Sequence, residues 1–323
     1  MADYAAIRRC MLLALCAAVL LAGCRSHDCA DDAADAGPQP DVIAVKIDDP
    51  RLDNVHRLTP KVYAGAQPRD GAAFQALKEL GIQTILSVDG ATPDVDGAHR
   101  VGLTYVHLPF GYDGIPQDRA QAVAKAIEEL PGPIYIHCHH GMHRGAAAAA
   151  VGCIIAGKLS NAQALAAMKI FGTGENYLGL WAAARDARPA DPAALKQLAI
   201  VYQEVAPIPP LADAMVQMDN LSDNLKACQA AHWTTPAQHP DLDPAHEALK
   251  LREMMFEIMR TDAFARRPDD FKAWMKNGQK LAGELEDKLR QPSKDLTAID
   301  GALLQLQNNC NACHKIYRNV PQR

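Results

Sequence analysis

The chain has 323 residues, enough for about two domains, and its 49% apolar against 22% charged residues excludes wholesale disorder. A formal charge of −5 with no run of lysine or arginine gives nucleic-acid binding no footing. Nine cysteines are too few and too scattered for a disulfide scaffold, so their local contexts decide what they do.

At the start of the chain, Arg8 and Arg9 precede an apolar run from Cys10 to Leu21, too short to span a bilayer comfortably. The run ends Leu21-Ala22-Gly23-Cys24, which resembles the lipobox of bacterial lipoproteins. That resemblance implies removal of residues 1–23, diacylglycerol on the Cys24 sulfur and a lipid anchor in a membrane facing the periplasm. Arg25 stands where an aspartate often retains lipoproteins at the inner membrane, which favours the outer membrane. A plain signal peptide or an uncleaved anchor is the alternative. Residues 24–54, rich in Ala, Asp, Pro and Gly, read as a flexible tether.

Residues 55–205 alternate β-rich runs with helical ones, the pattern of an α/β domain with a mostly parallel central sheet flanked by helices. Val62-Tyr63-Ala64 is a short strand. Asp70 caps a helix that Gly81 stops after Leu80. Thr84 to Val88 and Tyr105 to Leu108 are strands, and Pro116 to Leu130 is a helix closed by Pro131-Gly132-Pro133. Ile134 to His137 is a further buried strand, leading through a tight loop to an Ala-rich helix from Arg144 to Ala156, with two or more helices beyond, through Tyr202.

The loop His137-Cys138-His139-His140-Gly141-Met142-His143-Arg144 runs from a buried strand into a helix. Backbone N–H groups there point inward and the helix dipole adds positive potential, so the loop suits an anion. A cysteine at its start is placed to attack phosphorus, and the fork of Arg144 can hold two phosphate oxygens. Cys-x5-Arg after a histidine matches the cysteine-dependent tyrosine and dual-specificity phosphatases. Two further segments resemble compact and bacterial members of that family: Leu108 to Pro116, like their general-acid loop, and Val62 to Pro68, like their opening. The resemblance spans roughly residues 55–187. It implies Cys138 as nucleophile, Arg144 with His139, His140, Gly141, Met142 and His143 around the phosphate, and Asp113 as general acid. Asp118 and Asp89 are alternates for that acid, and Asp118 reads more naturally as an N-cap. The family usually carries Ser or Thr after the arginine to ease departure of the thiolate. Gly145 stands there instead, which implies slow turnover. A metal site built from His139, His140 and His143 is a rival reading of the same loop.

Pro207-Ile208-Pro209-Pro210 breaks the chain, and no strand pattern follows. Helical stretches at Leu211–Ala230, Pro244–Met259, Asp269–Arg290 and Asp295–Tyr317, separated by prolines, make 206–323 an antiparallel four-helix bundle. Cys310-Asn311-Ala312-Cys313-His314 is the c-type haem attachment motif: two thiols reach the haem vinyl groups and His314 faces the iron. Its place in the last helix resembles the class II cytochromes, the cytochrome c-prime family. The stripe Leu211, Ala214, Met218, Leu221, Leu225 centres Met218 on the core face, and Met215 lies to one side. The run from Met218 to Lys226 also resembles the first helix of b-type four-helix-bundle cytochromes with an axial methionine, so Met218 is expected as sixth iron ligand, ahead of Met215. A five-coordinate iron with both methionines as packing is the alternative.

Together these features describe a periplasmic, lipid-anchored protein with a phosphatase-like module and one covalent haem c for electron transfer. Its partners would be a phosphorylated substrate and a periplasmic redox protein. An electron-transfer lipoprotein whose first domain only binds an anion or partner is the alternative. Cys153 and Cys228, in apolar helices, are expected in the core, while Cys29 falls in the tether.

Overall fold

The computed structural model describes residues 44–319. The signal segment 1–23, Cys24, Cys29 and the tether up to residue 43 lie outside the described residues, as do residues 320–323. Among the described residues no helix is long and apolar enough to cross a membrane.

The first part is a mixed sheet between two layers of helices. Its strands are β1 (Val45–Lys46), β2 (His56–Arg57), β3 (Val62–Ala66), β4 (Thr84–Ser87), β5 (Thr104–His107) and β6 (Ile134–Cys138), in the order β1-β2-β3-β6-β4-β5. The last four are parallel, while β1 and β2 add an antiparallel edge. The sheet therefore begins inside the segment expected as tether: Ala44 and Leu52 are buried, and Ile47 N–H donates to the Val55 carbonyl at 2.8 Å. Both edge strands are so short that no apolar alternation marks them in a composition dominated by Asp and Pro.

Successive strand residues face opposite layers. Ile85, Tyr105 and Tyr135 pack with α1 (Gly71–Glu79) and α2 (Val95–Arg100). Leu86, Val106, Ile134 and Ile136 pack against α3 (Gln117–Glu129), α4 (Arg144–Ile155), α5 (Asn161–Phe171) and α6 (Leu178–Asp186). Asp70 caps α1 as expected, accepting from Ala73 N–H at 2.9 Å. Every residue of α4 is buried, which explains its alanines: a helix enclosed on all sides has room only for small side chains. A Cβ on Gly152 would lie 2.6 Å from Val123 Cγ1.

The expected helices beyond α4 stop at α7 (Pro192–Gln197), before Tyr202. Residues 198–206 form no helix or strand and instead return past the end of β5, where His107 N–H donates to Gln203 O at 2.8 Å and Ala206 N–H to His107 Nδ1 at 3.1 Å. Four long helices follow, α8 (Pro210–Ala230), α9 (Pro244–Met259), α11 (Asp269–Leu289) and α12 (Leu296–Tyr317), close to the expected spans, with a single-turn α10 (Asp262–Ala265) between. Asp243 and Asp295 cap α9 and α12. The four share one core that includes Met218, Leu225, Leu251, Met255, Leu285 and Leu303. At one end, Trp233 Nε1 and Gln229 Nε2 both donate to Asp300 Oδ1 at 2.8 Å, tying the end of α8 to the start of α12.

Candidate active site

Strand β6 lies between β3 and β4, so the chain leaves its two neighbours for separate crossovers. Such a switch point opens a crevice at the carboxyl ends of parallel strands, and Cys138 is the last residue of β6. The following loop is pressed against the end of β3. Gly141 has φ +69°, and a Cβ there would lie 2.1 Å from the Gly65 carbonyl carbon, so only glycine fits. His139 O accepts from Gln67 N–H at 3.0 Å, and Met142 O accepts from Thr173 Oγ1 at 2.6 Å. No side chain caps the start of α4, leaving its first N–H groups to the loop.

Arg144 is buried, and its Nη2 donates to Asp89 Oδ2 at 2.8 Å. Asp89, 1% exposed, also accepts from His139 N–H at 2.5 Å through that oxygen and from Ala91 N–H at 3.1 Å. Burial opposes its charge, but Arg144, His137, the Ala91 N–H and His139 together outweigh it and hold the carboxyl below the ordinary range. Asp89 thus positions both the loop and the guanidinium. Arg144 Nε is buried without a hydrogen-bond partner, a donor that an oxyanion in the loop would satisfy.

Tyr112 closes the other side of Arg144, its ring centroid 4.1 Å from the guanidinium carbon. Tyr177 stacks on Tyr112 at 5.2 Å, and His143 packs on Tyr177 at 4.2 Å. Arg318, at the end of α12, lies over Tyr112 at 4.6 Å. The Tyr112 ring therefore contacts two arginines, one from each part of the chain. Asp113 is half-buried, and its carbonyl lies so close to Gly179 that a Cβ there would be 1.9 Å away. None of its described contacts joins its carboxylate to Cys138 or Arg144. Asp118 is not the cap of α3: Pro116 holds that position, and Asp118 sits exposed in the first turn.

His137 is buried and shares a 2.6 Å hydrogen bond between Nε2 and Tyr105 Oη; burial pushes its imidazole down to about 4. Gly145 packs on the strand end, where a Cβ would lie 3.0 Å from Cys138 N, so a hydroxyl-bearing residue requires the backbone to shift. The loop histidines diverge. His143 turns to Tyr177 and is pushed down to about 4 by burial and by Arg318, whereas His139 and His140 face Asp223 of α8, their Nε2 atoms 3.2 and 3.7 Å from its Oδ2. The three do not converge on a metal, because His143 packs on Tyr177, away from the other two.

In the helical part, Met218 is buried in the core, and Met215 is only partly buried at its edge. Cys310 and Cys313 are partly buried against the same core. Asn309 anchors their turn to α11, donating to Trp274 O at 3.1 Å and accepting from Asn277 Nδ2 at 2.7 Å. Burial, then Arg318, pushes the His314 imidazole down to about 3, and burial raises the Cys313 thiol to about 11. Two thiols three positions apart beside a neutral imidazole form a donor set that fits a haem. A groove of about 620 Å³ lies on another face of α12, between Asn311, Lys315, Trp274 and Tyr177, and includes neither cysteine nor His314. Cys153 and Cys228 are buried, as expected.

Neither a protein-family model nor a curated protein matches the chain. Among solved structures, it is similar to TpbA of P. aeruginosa at 24% identity, over 48% of this chain and 94% of that one, with a TM-score of 0.40. A TpbA variant in complex with pTyr aligns at 22% identity, over 50% and 96%, with a TM-score of 0.40. The core catalytic domain of the PP-IP phosphatase SIW14 from S. cerevisiae aligns at 18%, over 45% and 90%, with a TM-score of 0.37.

Four residues of this site escaped the sequence reading or were given another role. Asp89 stands as an alternate acid there but anchors Arg144. Tyr112, Asp223 and Arg318 were not singled out. Tyr112 carried a signal, an aromatic residue beside the expected acid. Asp223 and Arg318 carried none, because each reaches the loop from a distant part of the chain.

Proposed function

We propose that residues 55–205 form a cysteine-dependent phosphatase of the tyrosine or dual-specificity type, fused to a haem c electron-transfer part and anchored in the periplasm through a lipid on Cys24. The observation that carries the phosphatase reading is the pairing of a strand-end cysteine with a buried, Asp89-held arginine whose Nε has no partner. In this reading Arg144 and the loop N–H groups hold the phosphate oxygens, and the Cys138 thiolate attacks phosphorus as the ester P–O bond breaks. Asp113 gives its proton to the leaving oxygen. Its carboxylate then takes a proton from water, which attacks phosphorus and releases the Cys138 thiolate. With Gly145 no hydroxyl assists that departure, so the second step is the slow one.

In the helical part Cys310 and Cys313 would hold the haem covalently, and His314 and Met218 would supply the side chains that bind its iron. The bound haem supplies one-electron chemistry. Around it, the apolar core excludes water and burial keeps His314 in its neutral, ligating form. A second reading, an anion-binding domain without turnover, is favoured by Gly145 and by the absence of a described Asp113 contact to Cys138. The discriminating experiment is hydrolysis of an aryl phosphate by the full haem-loaded chain. Cys138→Ser abolishes turnover and leaves the haem spectrum unchanged. Wild-type rates in that variant overturn the phosphatase reading, and a wild type without turnover supports the binding module.

A further inference from the structure

The two histidines after Cys138 face a single carboxylate from the helical part. His139 Nε2 lies 3.2 Å and His140 Nε2 3.7 Å from the same oxygen, Asp223 Oδ2, and all three donor atoms lie within 4.8 Å of one another. The other oxygen, Oδ1, is taken by Lys226 at 2.7 Å, so Oδ2 is left to the imidazoles. Four ligands about 2.05 Å from a tetrahedral zinc ion are spaced about 3.3 Å apart, close to the two separations seen here. Asp219, one turn earlier on α8, adds negative charge next to both imidazoles.

An ion pair alone accounts for only part of this cluster. His139 Nε2, at 3.2 Å, is within hydrogen-bond reach of Asp223 Oδ2, whereas His140 Nε2, at 3.7 Å, is beyond it. His140 Nε2 therefore faces a carboxylate oxygen without bonding to it, an arrangement that a cation between them would satisfy. We propose that His139 Nε2, His140 Nε2 and Asp223 Oδ2 form a binding site for a divalent transition-metal ion of the zinc type, joining the Cys138 loop to α8. Two imidazoles and one carboxylate are a zinc donor set, with water as fourth ligand. Binding takes both imidazoles in their neutral form, so any proton that they carry leaves to solvent. The site uses neither Cys138 nor the haem ligands and does not rest on the proposed activity.

The test is titration of the purified full-length chain with zinc chloride by calorimetry, together with its thermal midpoint in zinc and in chelator. Wild type should bind one equivalent at this site with a dissociation constant of about 10 µM or below, and its midpoint should rise in zinc. Asp223→Ala and His140→Ala should each weaken that binding by at least about tenfold and cancel the rise. Asp223→His keeps a donor on α8 and should restore both. Cys138→Ser and Cys313→Ser should leave the equivalent in place, which separates it from zinc on the thiols. Absence of binding in wild type overturns the proposal, as does binding lost only in the cysteine variants or unchanged by Asp223→Ala.

Discussion

Replacing Asp89 by asparagine removes one charge from a place where two are sealed together. Asp89 is 1% exposed and Arg144 6%, and the carboxylate is the one anion on a guanidinium whose Nε already has no partner. Breaking a buried pair from one side costs about 3–5 kcal/mol, because the surviving charge stays buried. The amide that replaces the carboxylate keeps one acceptor oxygen, which places Asp89→Asn at the lower end, about 3 kcal/mol. For a domain of roughly 150 residues that lowers the thermal midpoint by about 6–12 °C. The activity effect is separate. Once Arg144 and the His139 N–H lose their common anchor, one charge-assisted contact to phosphate is lost or misaligned, worth about 10- to 100-fold in kcat/KM. Scanning calorimetry and aryl phosphate kinetics on the full chain read both effects. Inorganic phosphate should recover part of the midpoint by pairing with Arg144. A midpoint within about 2 °C of wild type and kcat/KM within about twofold, the range of an ordinary surface substitution, would refute the anchoring role.

Arg144→Lys should abolish hydrolysis, because an ammonium cannot offer the Nε and Nη2 fork; retained activity would count against phosphate binding there. Asp113→Asn should slow alkyl phosphates far more than nitrophenyl phosphate, which needs no proton on leaving, and equal losses on both would point to a structural role for that loop. Met218→Ala should convert a low-spin ferric haem towards high spin, admit carbon monoxide to the ferrous form and lower the potential, while covalent attachment persists. A wild-type spectrum that is already high-spin would make Met218 a packing residue. The His139–Asp223 pair predicts a pH dependence in chelator. His139 is raised on folding, so its stabilisation is complete below the unfolded imidazole value of about 6.5 and disappears as pH rises through the folded value. The gap between the thermal midpoints of wild type and Asp223→Ala should therefore narrow as pH rises, down to what the Lys226 pair contributes, and a gap that stays constant with pH would rule the His139 pair out.

Much of the Cys138 loop was legible because its determinants are local. A β-rich run, a cysteine, a glycine and an Ala-rich helix follow one another within β6 and α4 without any need for long-range information. The long helices of the second part were legible for the same reason: Asp243 and Asp295 cap, prolines separate, and the Met218–Leu225 stripe repeats along one face. Strand order is not local. Nothing in the run around Asp89 says that β4 will lie beside β6, yet that adjacency alone turns a spare acid into the partner of Arg144. The same holds for Asp223, which meets His139 across 84 positions of chain, and for the edge strands β1 and β2, too short to show a period.

The segment pinned to the end of β5 limits how far the two parts can separate. Ala206 is pinned to His107 and buried, and only Pro207, Ile208 and Pro209 lie between it and the first residue of α8. At about 3.5 Å per residue, the start of α8 cannot move beyond roughly 14 Å from Ala206 without unzipping that segment. Two of the three connecting residues are prolines, which stiffen the short link further. Helix α8 therefore meets the Cys138 loop at an effective concentration in the millimolar range, whatever the concentration of the protein itself. Dilution cannot loosen that contact. On the phosphatase reading proposed above, a phosphorylated substrate large enough to require the same surface would have to compete with a helix that never leaves the neighbourhood, whereas a small phosphate ester would not, and that difference would sort substrates by size before any side chain reads them.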